Sequence, residues 1–446
     1  MLFIGREIEN TCILRLKTNL ILALIGPRQV GKTTLLNRIK DKAEELGLAE
    51  HGTDFYFSMD DAVIRAGIDK DFRYLEREIS NALGRELKNE KRRVLIVIDE
   101  VQKSPEIFNW LKIVYDSYPK TIKIIVSGSS SLQLKKNSVE SLAGRINFVK
   151  MFPLSLRELI AEETGKNLPE PLWLSLSEKN MESILRERQA LLYAEKARLS
   201  GLLDRIMIEG TLPGIYTSTD KEEKAVKLRS LVNTYLEKDI RALGEVGSLE
   251  DYTNLLKTIS YEVGSTFNLT SLSKDLGIAL NTVKKYISIL KDTFVLNALP
   301  PLLGSDRKKF VKNTKYYFYD IGVANSLAKR SEPEHIRAVA GFLFENLLLK
   351  SFEAENENRS TPGEKYFWRD YEEREIDFVL ETKQGVKIPV EIYSGSSFPK
   401  EKTKNYRAFF EKFKEPPYGL FIYKGDFAVI KIAEKPIYML PWWLWW

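Results

Sequence analysis

The sequence predicts an α/β protein of several domains, on three observations. An apolar run from Leu20 to Ile25 leads into Gly26-Pro-Arg-Gln-Val-Gly31-Lys32-Thr33-Thr34, the strand, loop and helix order of a phosphate cradle. Val94-Leu-Ile-Val-Ile98 places five apolar β-formers in a row, as a parallel strand covered on both faces requires. At 446 residues the chain exceeds one ordinary core, and one domain per roughly 150 residues suggests three.

The cradle rests on its glycines. Gly26 and Gly31 let the backbone curl so that successive N–H groups point inward, while the helix opening at Lys32 aims its positive dipole end at the same anion. Pro27, Arg28, Gln29 and Val30 supply the rest of the loop and Thr34 continues it. Lys32 is placed to reach the β and γ phosphates of a nucleotide, and Thr33 to hold Mg2+. The helix is predicted from Lys32 to about Leu46, followed by an alternating strand, Asp54-Phe-Tyr-Phe-Ser58. After Ile98 stand Asp99 and Glu100. The first carboxylate suits a hydrated Mg2+, and the second suits polarising a water for attack on the γ phosphate. A further strand, Ile122 to Val126, ends in Ser127-Gly-Ser-Ser-Ser131, which makes Ser127 a candidate sensor of the γ phosphate. Ligands of open parallel sheets sit at the carboxyl ends of the strands, so these ends should share one crevice. Arg145 follows in Ser141-Leu-Ala-Gly-Arg145. It is a candidate for stabilising the transferred phosphate, in cis or across a subunit interface, and an ordinary surface arginine is the alternative.

These four motifs, with Ile98-Asp-Glu-Val-Gln-Lys103 among them, resemble the large prokaryotic family of AAA+-type ATPases. The resemblance implies a five-stranded AAA+ core, ATP and Mg2+ as cofactors, and Lys32, Thr33, Asp99 and Glu100 as the nucleotide and metal residues. It also implies a winged helix and a C-terminal domain after the core. Many AAA+ proteins have asparagine where this chain has Ser127.

Composition narrows the function classes. With 43% apolar and 29% charged residues the chain reads as a soluble protein, and no apolar run approaches the roughly 20 residues of a membrane-spanning helix. The N-terminus lacks a charged region before an apolar core, so a cytoplasmic location is expected. Cys12 is the only cysteine, which excludes an internal disulfide and a thiolate zinc cluster. The net charge of +6 permits nucleic-acid binding without requiring it.

The motifs divide the chain into residues 1–165 (the cradle), 166–245, 246–320 and 321–446. The second segment is charged with aliphatics at helical spacing, Ile184, Leu191, Leu192, Leu202, Leu203 and Ile206, and reads as a helical lid or spacer. Glu209-Gly-Thr-Leu-Pro-Gly-Ile-Tyr216 forces a turn in it. In the third, Phe267 to Gly277 and Ile278 to Leu290 follow helix-turn-helix grammar, with Val283, Ile287 and Leu290 buried and Asn281, Thr282, Lys284, Lys285 and Ser288 outward. A hairpin with a basic turn, including Arg307, Lys308, Lys309 and Lys312, completes a winged-helix pattern. DNA binding is one reading of it, and a rigid protein-interaction module is the other.

In the last segment a helix from Gly341 carries Glu345, and a hairpin from Arg374 to Tyr393 sets Asp377 opposite Glu391. Helix glutamate, strand aspartate and hairpin Glu-x-Lys resemble the restriction-endonuclease fold, in which such carboxylates share a divalent ion. Tyr393 stands in place of the lysine, and Lys387 is four residues back along the strand. Both argue against cleavage. Finally, Trp442, Trp443, Trp445 and Trp446 crowd the last five positions, to be covered by their own domain or by a neighbouring chain or membrane interface. The expected partners are thus ATP, DNA through the winged helix, and a protein through the C-terminal domain and tail. An oligomer is compatible with all of these.

Overall fold

The computed structural model describes residues 4–129, 142–175, 180–234, 247–302, 314–359, 362–382 and 384–445. Two compact units result: residues 6–152 with 292–294, and the remainder. The first closes at Phe152, ahead of the expected boundary at 165, and apart from residues 292–294 the three later segments fall within the second.

In the first unit five strands, β1 (Ile21–Ile25), β2 (Asp54–Ser58), β3 (Val94–Asp99), β4 (Ile122–Gly128) and β5 (Ile146–Lys150), form one sheet in the order β2-β3-β4-β1-β5. All neighbours run parallel. Strands β1 and β3 are buried at every position, as their unbroken aliphatic runs demand. Each such side chain contributes about 1.5–3 kcal/mol on leaving water. Helices α1 (Glu7–Leu16), α2 (Lys32–Asp41), α3 (Ala62–Lys70), α4 (Tyr74–Leu83) and α5 (Ile107–Ser117) complete the unit. Helix α2 stops at Asp41 rather than near Leu46, because Lys42 leaves helical geometry and the chain turns back, Leu48 N–H bonding to Ala43 O at 2.8 Å.

The second unit carries two further sheets. The helix Leu269–Leu276 ends at Gly277 in the left-handed conformation, and the helix Leu280–Asp292 follows. Val283, Tyr286, Ile287, Ile289 and Leu290 are buried on it, while Asn281, Lys284, Lys285 and Ser288 are exposed. Strands β6 (Thr266–Phe267), β7 (Leu296–Leu299) and β8 (Thr314–Phe318) pair antiparallel in the order β6-β8-β7. The basic turn with Arg307, Lys308, Lys309 and Lys312 lies outside the described residues, as do Ser131, Ser141 and Trp446.

The last sheet has six strands: β9 (Glu364–Arg369), β10 (Glu375–Glu381), β11 (Lys387–Ile392), β12 (Gly419–Tyr423), β13 (Ala428–Ile432) and β14 (Lys435–Pro441). Their order is β13-β14-β12-β11-β10-β9, with β11, β12 and β14 mutually parallel and the flanking pairs antiparallel. Trp442, Trp443 and Trp445 are each at most 3% exposed, and the Trp445 indole N–H donates to Leu348 O at 3.3 Å. The aromatic tail is therefore interior to its own unit. Of the two covers expected for the tail, its own domain or a neighbour, the first holds at these three positions, and the driving force is the large apolar area of each indole.

Candidate nucleotide site and a buried charge cluster

The glycine loop between β1 and α2 follows from close packing. A Cβ at Gly26 would stand 2.2 Å from the Met151 carbonyl oxygen, a distance no side chain tolerates. Gly31 takes φ +93 and Gln29 φ 62, which turn the chain sharply into α2. Pro27 and Val30 are buried, Arg28 is half-buried, and Thr33 and Thr34 are exposed. The Lys32 ammonium folds over the loop and donates to the carbonyls of Gly26 at 3.0 Å and Pro27 at 2.8 Å. It lies where an incoming phosphate would take those donors over.

The ends of β3 and β4 add the carboxylates. Thr33 Oγ1 donates to Asp99 Oδ2 at 2.6 Å and the Tyr56 hydroxyl donates to the same oxygen at 2.9 Å. Burial, and then the Asp99 charge, push the Tyr56 phenol well above its ordinary range, so it stays a donor. Ser127 Oγ donates to Asp99 Oδ1 and accepts the Glu100 N–H at 3.1 Å. Ser127, fully buried, thus ties β4 to the acidic strand end. A hydroxyl and a carboxylate side by side fit Mg2+, which takes one or two protein oxygens and keeps several waters.

Glu100 is arranged differently. Its backbone is left-handed, φ 55, a strained state for a non-glycine residue and one that clusters at functional sites. Its Oε2 accepts from Gln102 Nε2 at 2.6 Å and from Ser129 Oγ at 3.1 Å, and Gln102 also reaches Ser129 at 3.2 Å. Gln102 Oε1 is buried with no hydrogen-bond partner among the described residues. Sequence reading passed over Tyr56, Gln102 and Ser129. Gln102 and Ser129 stand within the motifs Ile98 to Lys103 and Ser127 to Ser131, which is the signal that points to them, and Tyr56 has no such signal.

Arg145 is not brought to this site. It precedes β5, and its carbonyl accepts the N–H of Ile21, at the beginning of β1. The loop follows the other end of that strand, about 16 Å away along five residues of rise. Its guanidinium makes a two-pronged pair with Asp116, Nε to Oδ1 at 2.8 Å and Nη2 to Oδ2 at 3.1 Å. The expectation of a role in cis is corrected accordingly, because residues at opposite ends of parallel strands cannot meet.

The second unit holds a buried charge cluster. The register of β10 on β11 sets Asp377 beside Glu391, as expected for the hairpin. The Lys402 ammonium, from the helix Lys402–Lys412, bonds to Glu391 Oε2 and lies 3.4 Å from Asp377 Oδ2. Asn405 donates to Glu391 Oε1 at 2.8 Å and the Ile392 N–H to Asp377 Oδ2 at 2.8 Å. Burial, and then the Asp377 charge, raise Glu391 well above the usual carboxylate range. Glu345 turns elsewhere, to Lys315 at 3.0 Å and the Tyr317 hydroxyl, and burial lifts its carboxyl to about 7. No group of three or more metal-ligating side chains could hold an ion among the described residues. Convergence of Glu345, Asp377 and Glu391 on one divalent cation is therefore corrected. Lysines take the cation's place, Lys402 at the hairpin and Lys315 at Glu345. Tyr393, where the lysine was missing, packs its ring against Phe421, and Lys387 pairs at 3.9 Å with Glu381 at the strand's far end.

Comparisons with known proteins agree with the first unit. Residues 18–160 match a family model described as an AAA domain, and residues 200–334 and 340–445 match two models described as domains of unknown function. An uncharacterized protein of Mycobacterium tuberculosis is 24% identical over 369 residues, 81% of this chain and 67% of that one. An uncharacterized protein of Methanocaldococcus jannaschii is 24% identical over 457 residues, 99% of this chain and 90% of that one. The solved structure of a Walker-type ATPase of Pyrococcus abyssi is 17% identical, covering 73% of this chain and 96% of its own, with a TM-score of 0.43. With its strand order and glycine loop, and with residues 18–160 matched by an AAA domain model, the first unit is similar to the AAA-type P-loop ATPases in fold.

Proposed function

We propose that the chain binds ATP with Mg2+ at the glycine loop and hydrolyses its γ phosphate. The observation that carries this reading is the bond from Thr33 Oγ1 to Asp99 Oδ2 at 2.6 Å, directly after a loop whose lysine is folded over it. Lys32 neutralises charge on the β and γ phosphates. Thr33 and Asp99 would hold Mg2+, which would supply charge neutralisation for the transferred group. Glu100 orients the attacking water and accepts its proton. Ser127 acts through Asp99 and the Glu100 backbone rather than on the phosphate itself. Arg145 keeps a role only across a subunit interface, where it would leave Asp116 for a neighbour's phosphate.

Equilibrium titration with a fluorescent ATP analogue tests the binding step. Tight binding that needs Mg2+ and is lost in Lys32→Ala supports the reading, and binding indifferent to both contradicts it.

The output of the cycle we take to be nucleic acid, on the exposed Asn281, Lys284, Lys285 and Ser288 of a winged-helix-like arrangement. Duplex DNA binding that weakens with salt and is lost in Lys284→Ala/Lys285→Ala supports that step. Absence of DNA binding at low salt would turn the module into a protein-docking surface gated by ATP.

A further inference from the structure

A cavity of about 220 Å³ opens in the first unit at the amino ends of β1, β3 and β4, the end of the sheet away from the glycine loop. Four cations line it, Lys17, Arg93, Lys120 and Lys123, and no carboxylate does. Leu16 and Leu48, both buried, give it an apolar wall. None of the four cations has an ion-pair partner among the described residues. Lys123 is 9% exposed, and its ammonium donates only to main-chain carbonyls, Thr18 O at 2.5 Å and Leu20 O at 2.7 Å. The Arg93 guanidinium likewise donates to Gly47 O at 2.6 Å. The Glu50 carboxylate accepts the Arg93 backbone N–H at 3.4 Å and is not among the lining residues. Carbonyl dipoles satisfy these donors but leave their charge standing, an unusual state for Lys123, the one buried cation of the four, while Lys17, Arg93 and Lys120 are exposed at the rim.

We propose that this cavity is a binding site for a small organic phosphate, a dianionic phosphate monoester with an apolar body. Charge selects the class. A phosphate monoester brings close to two negative charges at neutral pH, which four uncompensated cations match better than a single carboxylate. The apolar wall selects against the bare inorganic anion. Volume sets the size, since the cavity holds a ligand of a few carbons beside the phosphate and not a polynucleotide. The strain on Lys123 agrees: burial, and then the nearby Arg93, lower its affinity for a proton to about 8, and an anion alongside would restore it. This site is independent of the nucleotide site, whose residues lie at the opposite strand ends.

Isothermal titration of the full chain with hexyl phosphate tests the proposal, with hexanoate, hexanol and inorganic phosphate as comparisons. The expected result is one hexyl phosphate site per chain, with hexanoate and inorganic phosphate each about tenfold weaker and hexanol unbound. Binding should persist in Lys32→Ala, which disables only the glycine loop. It should weaken about tenfold in Lys17→Ala/Lys120→Ala, whose exposed positions leave the fold intact, and disappear in Lys123→Met. Binding that is equal in wild type and Lys17→Ala/Lys120→Ala, or that is abolished by Lys32→Ala, or that hexanol matches, would overturn the assignment.

Discussion

Asp99 and Glu100 are neighbours in sequence with opposite surroundings, and their roles separate on that basis. Asp99 accepts hydrogen bonds from the hydroxyls of Thr33, Tyr56 and Ser127, which hold its carboxylate in one orientation. Glu100 accepts a side-chain amide and a hydroxyl at one oxygen, Oε2. On the proposed reading Gln102 is then a positioning residue, its amide holding the Glu100 carboxylate in one rotamer. Gln102→Ala is expected to lower turnover about tenfold or more with ATP affinity unchanged, measured as a split between kcat and KM. Gly26→Ala should destabilise the first unit by about 1–3 kcal/mol and abolish ATP binding, because the methyl group meets Met151 O at 2.2 Å. Denaturant unfolding and nucleotide titration check the two effects separately.

At the scale of elements, buried polar bonds join strands and helices far apart in sequence. Gly210, φ +75, lets the chain pass Asp320, where a Cβ would approach Oδ1 to 2.2 Å, and Asp320 in turn caps the helix Ile321–Leu327 through Gly322 N–H at 2.9 Å. The turn predicted at Glu209 to Tyr216 thus has a structural purpose that its glycines announced without naming. Lys402 joins the Lys402–Lys412 helix to the β10 and β11 hairpin, and Lys402→Met should cost about 3–5 kcal/mol in urea unfolding by leaving buried charge unpaired. Glu345 gives a pH signature. Its carboxyl titrates near 7 when folded, against 4.5 for the unfolded reference, because burial outweighs the Lys315 ammonium. The folded state then binds more protons between those values, so this group's stabilisation is full below about 4.5 and is lost as pH rises to about 7. Unfolding free energies measured across that window should fall with pH in wild type and lose that slope in Glu345→Gln.

Over the whole molecule, what the sequence disclosed depended on how local the cause was. The glycine loop, the apolar strands and the glycine after Leu276 are written in contiguous residues, and each element formed within a few positions of its expected place. Lys402 was invisible because its partners lie on strands 11 and 25 residues away, and nothing local says that one lysine of a basic helix points inward. Arg145 failed for a related reason: its motif was legible, but which end of the sheet it occupies follows from the pairing of β5 with β1. The tail was ambiguous because indole side chains show only that cover is needed, and Leu348 and Phe352 of the same unit provide it.

On the proposed reading the first unit hydrolyses ATP with Glu100 as the water-orienting base. Phosphate release from ATP in wild type and Glu100→Gln, with and without DNA, tests it most directly. Mg2+-dependent release is expected in wild type, reduced about 100-fold or more in Glu100→Gln while ATP remains bound. Equal release from the two proteins would contradict it.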